Sequence, residues 1–159
     1  MIVVRDLDPA GGDGRFAVEV PIDAYGDLDV SWVAQQLLDI GQKLVAGGVH
    51  INLGDAVWRH GAHLLGLLGL RLVASASPTE RHWYVAALGA VPTRQLEEVR
   101  DVIRSRAEGA AIAELEEGQS ALDRKAVVDL FLGVAVVLGA ELDRRLEAAG
   151  AMSNPLDVQ

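Results

Sequence analysis

The side chains able to do chemistry crowd into one stretch of the chain. All four histidines, two of the three tryptophans and one of the two tyrosines lie between His50 and Tyr84. The set is His50, Trp58, His60, His63, His82, Trp83 and Tyr84. Imidazoles exchange protons, accept or donate hydrogen bonds and ligate metals near neutral pH. Indole and phenol rings offer a flat apolar surface with one polar atom. The rest of the chain is mostly aliphatic or charged. There is no cysteine, which excludes disulfides, thiolate zinc sites, iron–sulfur clusters and a thiol nucleophile, and fits a reducing compartment.

Spacing divides this stretch in two. On a helix over 53–73, Asp55, Arg59 and His63 recur every four residues and line one face. Arg59 is placed to pair with Asp55. His60 lies beside His63 on the wheel, next to the apolar Ala56, Leu64 and Leu67, while Trp58, Ala62 and Leu65 form another face. The face with Asp55, Arg59 and His63 reads as a pocket wall, or else as a surface ion pair beside two partly buried histidines. Metal binding by His60 and His63 would need a third ligand from Asp55, Glu80 or His82, and the His-Glu-x-x-His pattern is absent. No metal and no cofactor are therefore assigned. The second group is Arg81-His82-Trp83-Tyr84. It follows Ser77-Pro78-Thr79-Glu80, which reads as a helix start with a serine cap, a proline at the first helical position and a returning glutamate. Helical residues in sequence point about 100° apart. Trp83 is then expected in the core and His82 or Tyr84 at a pocket. Asp129, inside an apolar stretch, is either exposed or a buried acid able to orient a histidine. The candidate catalytic residues are thus His60, His63, His82 and Asp129. The candidate ligand-binding residues are Trp58, Arg59, Tyr84 and Asp55.

The elements that must position them read as mainly α: a bundle of about five helices with a small N-terminal β-hairpin. Ile2-Val3-Val4 and the alternating Phe16, Val18 and Val20 give two strands around a glycine-rich turn, with Pro21 closing the second. A first helix starts near Asp29 or Ser31, carries Val33, Leu37, Ile40 and Leu44, and ends at Gly47-Gly48. Asn52 is the expected cap of the second helix, which contains Gly61, Gly66 and Gly69; three helix glycines suggest a close neighbour or a break. A third, short helix follows Ser77 and ends near Gly89. Thr93 opens a long amphipathic helix with Leu96, Val99, Ile103, Ala107 and Ala110 on one face, ending near Gly118. Ser120 with Asp123 opens the last helix, to about Ala149. It is apolar on all sides from Ala126 to Ala140, so its neighbours or a second subunit must wrap it. Gly133 and Gly139 would admit a close partner. A single domain is expected over 1–150, with the hairpin at 1–22, helices at 29–150 and a flexible tail at 151–159.

Charge narrows the partners. The net charge is −9. Residues 1–53 hold eight acids and three bases, residues 93–159 thirteen and eight, and residues 54–92 only two and three. The histidine-rich stretch is the one part that is not acidic. Without a basic stripe, phosphate neutralisation has no source, so nucleic acid is not an expected partner. No signal peptide is visible, and the longest apolar run is too short to cross a bilayer. Twelve of the 14 bases are arginine, the bias of a GC-rich bacterial genome. Phosphate-binding loops, nucleophile elbows and dinucleotide fingerprints are absent.

From Ser77 to Leu146 the chain resembles in rhythm the ligand-binding half of tetracycline-repressor-type regulators: a short helix, a long amphipathic one ending in "ELEEGQ", then "LDRKAVVDLFLGVAVV". The resemblance implies a helical dimer with an internal cavity. The first 50 residues do not match that family's helix-turn-helix. A cytoplasmic, homodimeric domain that binds a small apolar or weakly anionic molecule between its helices is expected. Imidazole and indole groups from two helices should then meet around one enclosed hollow. The alternatives are a cofactor-independent cyclase, isomerase or lyase using His/Asp acid–base chemistry, and a protein–protein interaction module.

Overall fold

Two-residue alternation of apolar side chains at Phe16 and Val18 builds the central strand of a three-stranded antiparallel sheet, in the order β1-β2-β3. The strands are β1 (Val3–Asp6), β2 (Arg15–Glu19) and β3 (Trp83–Ala87). The computed structural model describes residues 2–9, 12–20, 25–72, 83–112 and 121–152. Four helices follow within these: α1 (Asp27–Ala46), α2 (Ile51–Leu72), α3 (Thr93–Ile112) and α4 (Ala121–Met152). The molecule is mainly helical, as its periodicity implies, but the described residues hold four helices rather than five.

The difference lies at β3. The helix expected after Ser77 should run to Gly89, yet 83–87 pair with β2, Tyr84 opposite Val18 and Ala86 opposite Phe16. Trp83, Tyr84 and Val85 are aromatic or β-branched, types that favour a pleated surface over a helix. The expected cap at Ser77–Glu80 lies outside the described residues. The N-terminal hairpin is thereby one edge of a larger sheet. Val3 pairs with Glu19 and Asp6 with Phe16 across the β1–β2 ladder. At the sheet's end two turns meet: Leu88 N–H donates to Gly14 O at 2.9 Å and Gly89 N–H to Asp13 O at 3.0 Å. Gly14 holds φ +58°, and a Cβ there would lie 2.6 Å from Gly89 N, so only glycine fits.

Helices α1 and α2 form a hairpin packed through small residues. A Cβ on Gly54 would lie 2.3 Å from a Val45 methyl, and one on Gly61 2.7 Å from the Ala34 carbonyl oxygen. Gly61 is thus a close-approach glycine, as three glycines in one helix suggested, whereas Gly66 and Gly69 meet nothing within 4 Å. The turn between the helices uses Gly48 at φ 86°, and Val49 N–H closes back on Leu44 O at 3.0 Å, the six-to-one bond of a Schellman motif. The cap of α2 is His50 rather than Asn52. Its Nδ1 accepts the Asn52 N–H at 3.2 Å, and its own N–H donates to Gln95 Oε1 at 3.0 Å. This ties the start of α2 to the start of α3. His50 is therefore a joint, set apart from the other histidines.

The second pair, α3 on α4, buries Leu96, Val99, Ile103 and Ala107 against Leu130, Val134, Val137 and Leu138. The spacing of the α3 residues is the amphipathic stripe expected from Thr93 onward. Between residues 128 and 142, helix α4 is enclosed over most of its circumference by its own chain, with Asp129 and Val136 left exposed. Both helix pairs and the inner face of the sheet share one core, which includes Phe16, Val18, Leu37, Leu53, Leu64 and Phe131. No helix among the described residues is long and apolar enough to cross a membrane.

Candidate functional site

Core-facing positions of α2 run through Leu53, Ala56, Val57, His60, Leu64 and Leu67 at steps of three and four. That register carries His60 fully into the interior. On β3, strand parity turns Tyr84 to the same side as its cross-strand partner Val18, facing the helices, and Trp83 to the other side. The two elements meet there. The Tyr84 hydroxyl hydrogen-bonds His60 Nδ1. The His63 ring, one turn further along α2, lies 4.9 Å from the Tyr84 ring, and the His60 ring lies 5.5 Å from it edge-on. Two imidazoles and one phenol thus converge.

Burial sets their charge states. His60 is pushed down to about 3, first by desolvation and then by the neighbouring His63. Burial and the adjacent imidazole both disfavour the imidazolium, so the ring is neutral at any physiological pH. Burial also raises the Tyr84 phenol well above its ordinary value. Either neutral tautomer fits the Nδ1–Tyr84 bond, since a phenol both donates and accepts, and the other ring nitrogen is Nε2. That nitrogen is buried and has no hydrogen-bond partner among the described residues. An orphaned polar group of this kind costs about 1–3 kcal/mol. The closing contact comes from α4 and the N-terminus. A Cβ on Gly133 would lie 3.4 Å from His60 Nε2 and 2.0 Å from Ile2 Cδ1. Ile2 therefore fills the notch that Gly133 leaves beside the imidazole. Gly133 admits a close neighbour as anticipated, but that neighbour is a β1-side residue rather than a partner helix.

The other sequence-derived candidates lie elsewhere. Asp55 and Arg59 form an exposed ion pair at 2.6 Å, on a different face of α2 from His60. Trp58 is 40% exposed and packs over Gly41, whose added Cβ would meet the Trp58 Cβ at 2.8 Å. Trp83 carries the Arg5 guanidinium over its ring at 5.1 Å on the outer sheet face, so it is not the core residue that a helical reading made it. Asp129 is exposed and sits near Tyr25, whose phenol is raised by burial first and by the Asp129 carboxylate second. His82 and Glu80 lie outside the described residues. The meeting of rings is thus helix against strand, imidazole against phenol. It is not indole and imidazole from two helices. Among the described residues no three His, Asp or Glu side chains converge as a metal set.

One buried cluster escaped the sequence reading. Glu141 on α4 is fully buried. It accepts from Arg144 Nε and Nη2 at 2.7 Å each and from Arg145 Nε at 2.8 Å. Arg145 continues to Thr93 Oγ1 and Leu88 O, both at 2.9 Å. Desolvation alone would raise the Glu141 carboxyl, but the hydrogen bonds and charges of the two arginines outweigh it and hold it below the usual carboxylate range. The signal was present as a glutamate followed at three and four residues by arginines, directly after an apolar run. The cluster joins α4 to the β3–α3 turn and acts as a structural clasp.

No family model, curated protein or solved structure matches this chain.

Proposed function

We propose that the protein is a binding module for a small, partly apolar molecule, held where His63 and Tyr84 meet at the α2–β3 contact. The carrying observation is the convergence of His60 and His63 on Tyr84, with His60 Nε2 buried and unsatisfied among the described residues. Ligand sites are commonly apolar walls with a few fixed polar groups. His60 would orient the phenol, and His63 with Tyr84 would offer the polar contacts. The ligand would be neutral or weakly anionic.

The same electrostatics weigh against acid–base catalysis by this pair. General acids and bases work best with a pKa near the operating pH. His60 at about 3 and a phenol raised above its ordinary value exchange protons poorly at neutrality. Binding is therefore preferred to the cyclase, isomerase or lyase reading. The homodimer is part of the proposal. Val136 on α4 remains 50% exposed within the longest apolar run, and sedimentation equilibrium would register a second copy.

The test is a titration with p-cresol, followed through the imidazole and tyrosine ring resonances. Saturable shifts confined to His63 and Tyr84, weakened in His63→Ala with the fold intact, support the reading. Shifts that ignore these rings, or none up to the solubility limit of the phenol, would overturn it.

A further inference from the structure

The groove between α1 and α3 lies apart from the histidines and carries its own chemistry. Its volume is about 650 Å³, and it is lined by Trp32, Asp101, Val102, Ser105, Arg106 and Gly109. That size falls within the range of small-molecule sites. Trp32 is 46% exposed, yet its indole is fixed from behind by Phe131, edge-on at 5.7 Å. A rigid, half-exposed indole is a stacking surface. Gln36 stands one helical turn along α1 from Trp32 and accepts from Arg106 Nη1 at 3.5 Å. That contact brings Arg106 to α1 one helical turn from Trp32, and both side chains line the groove.

The groove is lined by one acid, Asp101, and one base, Arg106, and they differ in their partners. Asp101 is met by Arg100 Nε at 3.5 Å. Arg106 has only the neutral Gln36 amide among the described residues. The unmatched charge is a cation, in a chain whose net charge is −9. A guanidinium binds a carboxylate through paired N–H groups.

We infer that this groove is a binding site for a small aromatic carboxylate. The ring lies against Trp32 and Val102, and the carboxylate reaches Arg106, with the Ser105 hydroxyl beside it. The site is independent of the His60–Tyr84 reading and does not rest on it. The groove is open, so the affinity is modest, with a Kd on the order of 1 mM for a ligand of naphthoate size.

The test uses 2-naphthoate, with 2-naphthamide as the uncharged control, read by the three tryptophan indole N–H resonances assigned through Trp→Phe variants. The expected result is a saturable shift of the Trp32 resonance. Binding of 2-naphthoate weakens by about tenfold or more in Arg106→Gln, the loss expected of a charge-assisted pair. The amide control binds more weakly by a similar factor. Arg106 is exposed, so Arg106→Gln keeps the wild-type Tm and separates a lost contact from a lost fold. Equal binding of acid and amide, equal binding by Arg106→Gln, or a Trp32 resonance that stays still would each overturn the proposal. Shifts at His63 and Tyr84 alone would also overturn it, and would support the other site instead.

Discussion

Among single residues, His60 couples the fold most directly to pH. In the unfolded chain its imidazole takes a proton near 6.5, and in the folded chain only near 3. Between those values the unfolded state binds more protons, so stability falls as pH drops from 6.5 toward 3. By pH 5 the loss is about 2 kcal/mol. Replacing both partners, His60→Leu with Tyr84→Phe, removes the buried polar pair without orphaning either group. Urea denaturation at pH 7 and pH 5 should show the wild type losing about 2 kcal/mol more than the double variant. Parallel losses would mean that His60 does not carry the effect. The pairing of His60 with His63 was legible because i and i+3 positions share a helix face. Tyr84 was singled out on the wrong element, and its partner could not be read at all, since nothing local ties residue 84 to residue 60.

Among elements, the glycines of α2 separate two roles that composition alone cannot. Gly66 faces open space and Gly61 faces the Ala34 carbonyl oxygen. Gly66→Ala should stabilise by about 0.5–1 kcal/mol through helix propensity. Gly61→Ala should destabilise by about 1–3 kcal/mol, because a backbone atom of α1 cannot yield as a side chain would. Thermal unfolding of the two variants gives opposite signs, and a stabilising Gly61→Ala would refute the close α1–α2 packing. Helices α1, α2, α3 and α4 were legible because each carries apolar residues at helical spacing or a long apolar run with clear ends. Strand β3 was not, because a strong cap signal at Ser77-Pro78 outweighed the three aromatic and β-branched residues Trp83-Tyr84-Val85. Strand parity then explains why Trp83 and Tyr84, adjacent in sequence, serve opposite faces of the sheet.

For the whole molecule, the Glu141–Arg144–Arg145 clasp links the last helix to the sheet and to the start of α3. Removing one member of a buried ion network leaves the others uncompensated, at a cost of about 3–5 kcal/mol. The guanidiniums here keep some solvent contact, with side-chain exposures of 16% and 21%, so the lower end applies. Glu141→Ala should therefore lower Tm by roughly 6–12 °C for a chain of this size. A change within about 1 °C, well under that of a 1 kcal/mol effect, would reduce the cluster to decoration. The carboxyl's lowered pKa makes its contribution complete above the unfolded value of 4.5. That contribution fades only as pH falls below it, so at pH 5 the His60 effect is read nearly alone. This clasp was the least legible feature, since an acid-and-base triplet at a helix end reads as a solvated face until the elements covering it are known.

His60 is neutral, interior and bonded to Tyr84. The direct measurement is the nitrogen chemical shifts of the histidine rings in ¹⁵N-labelled protein between pH 7 and pH 5. His60 is expected to keep the neutral pattern of one protonated and one bare nitrogen throughout, and Tyr84→Phe is expected to alter it. An imidazolium signal for His60 appearing near pH 6.5, unaffected by Tyr84→Phe, would contradict this.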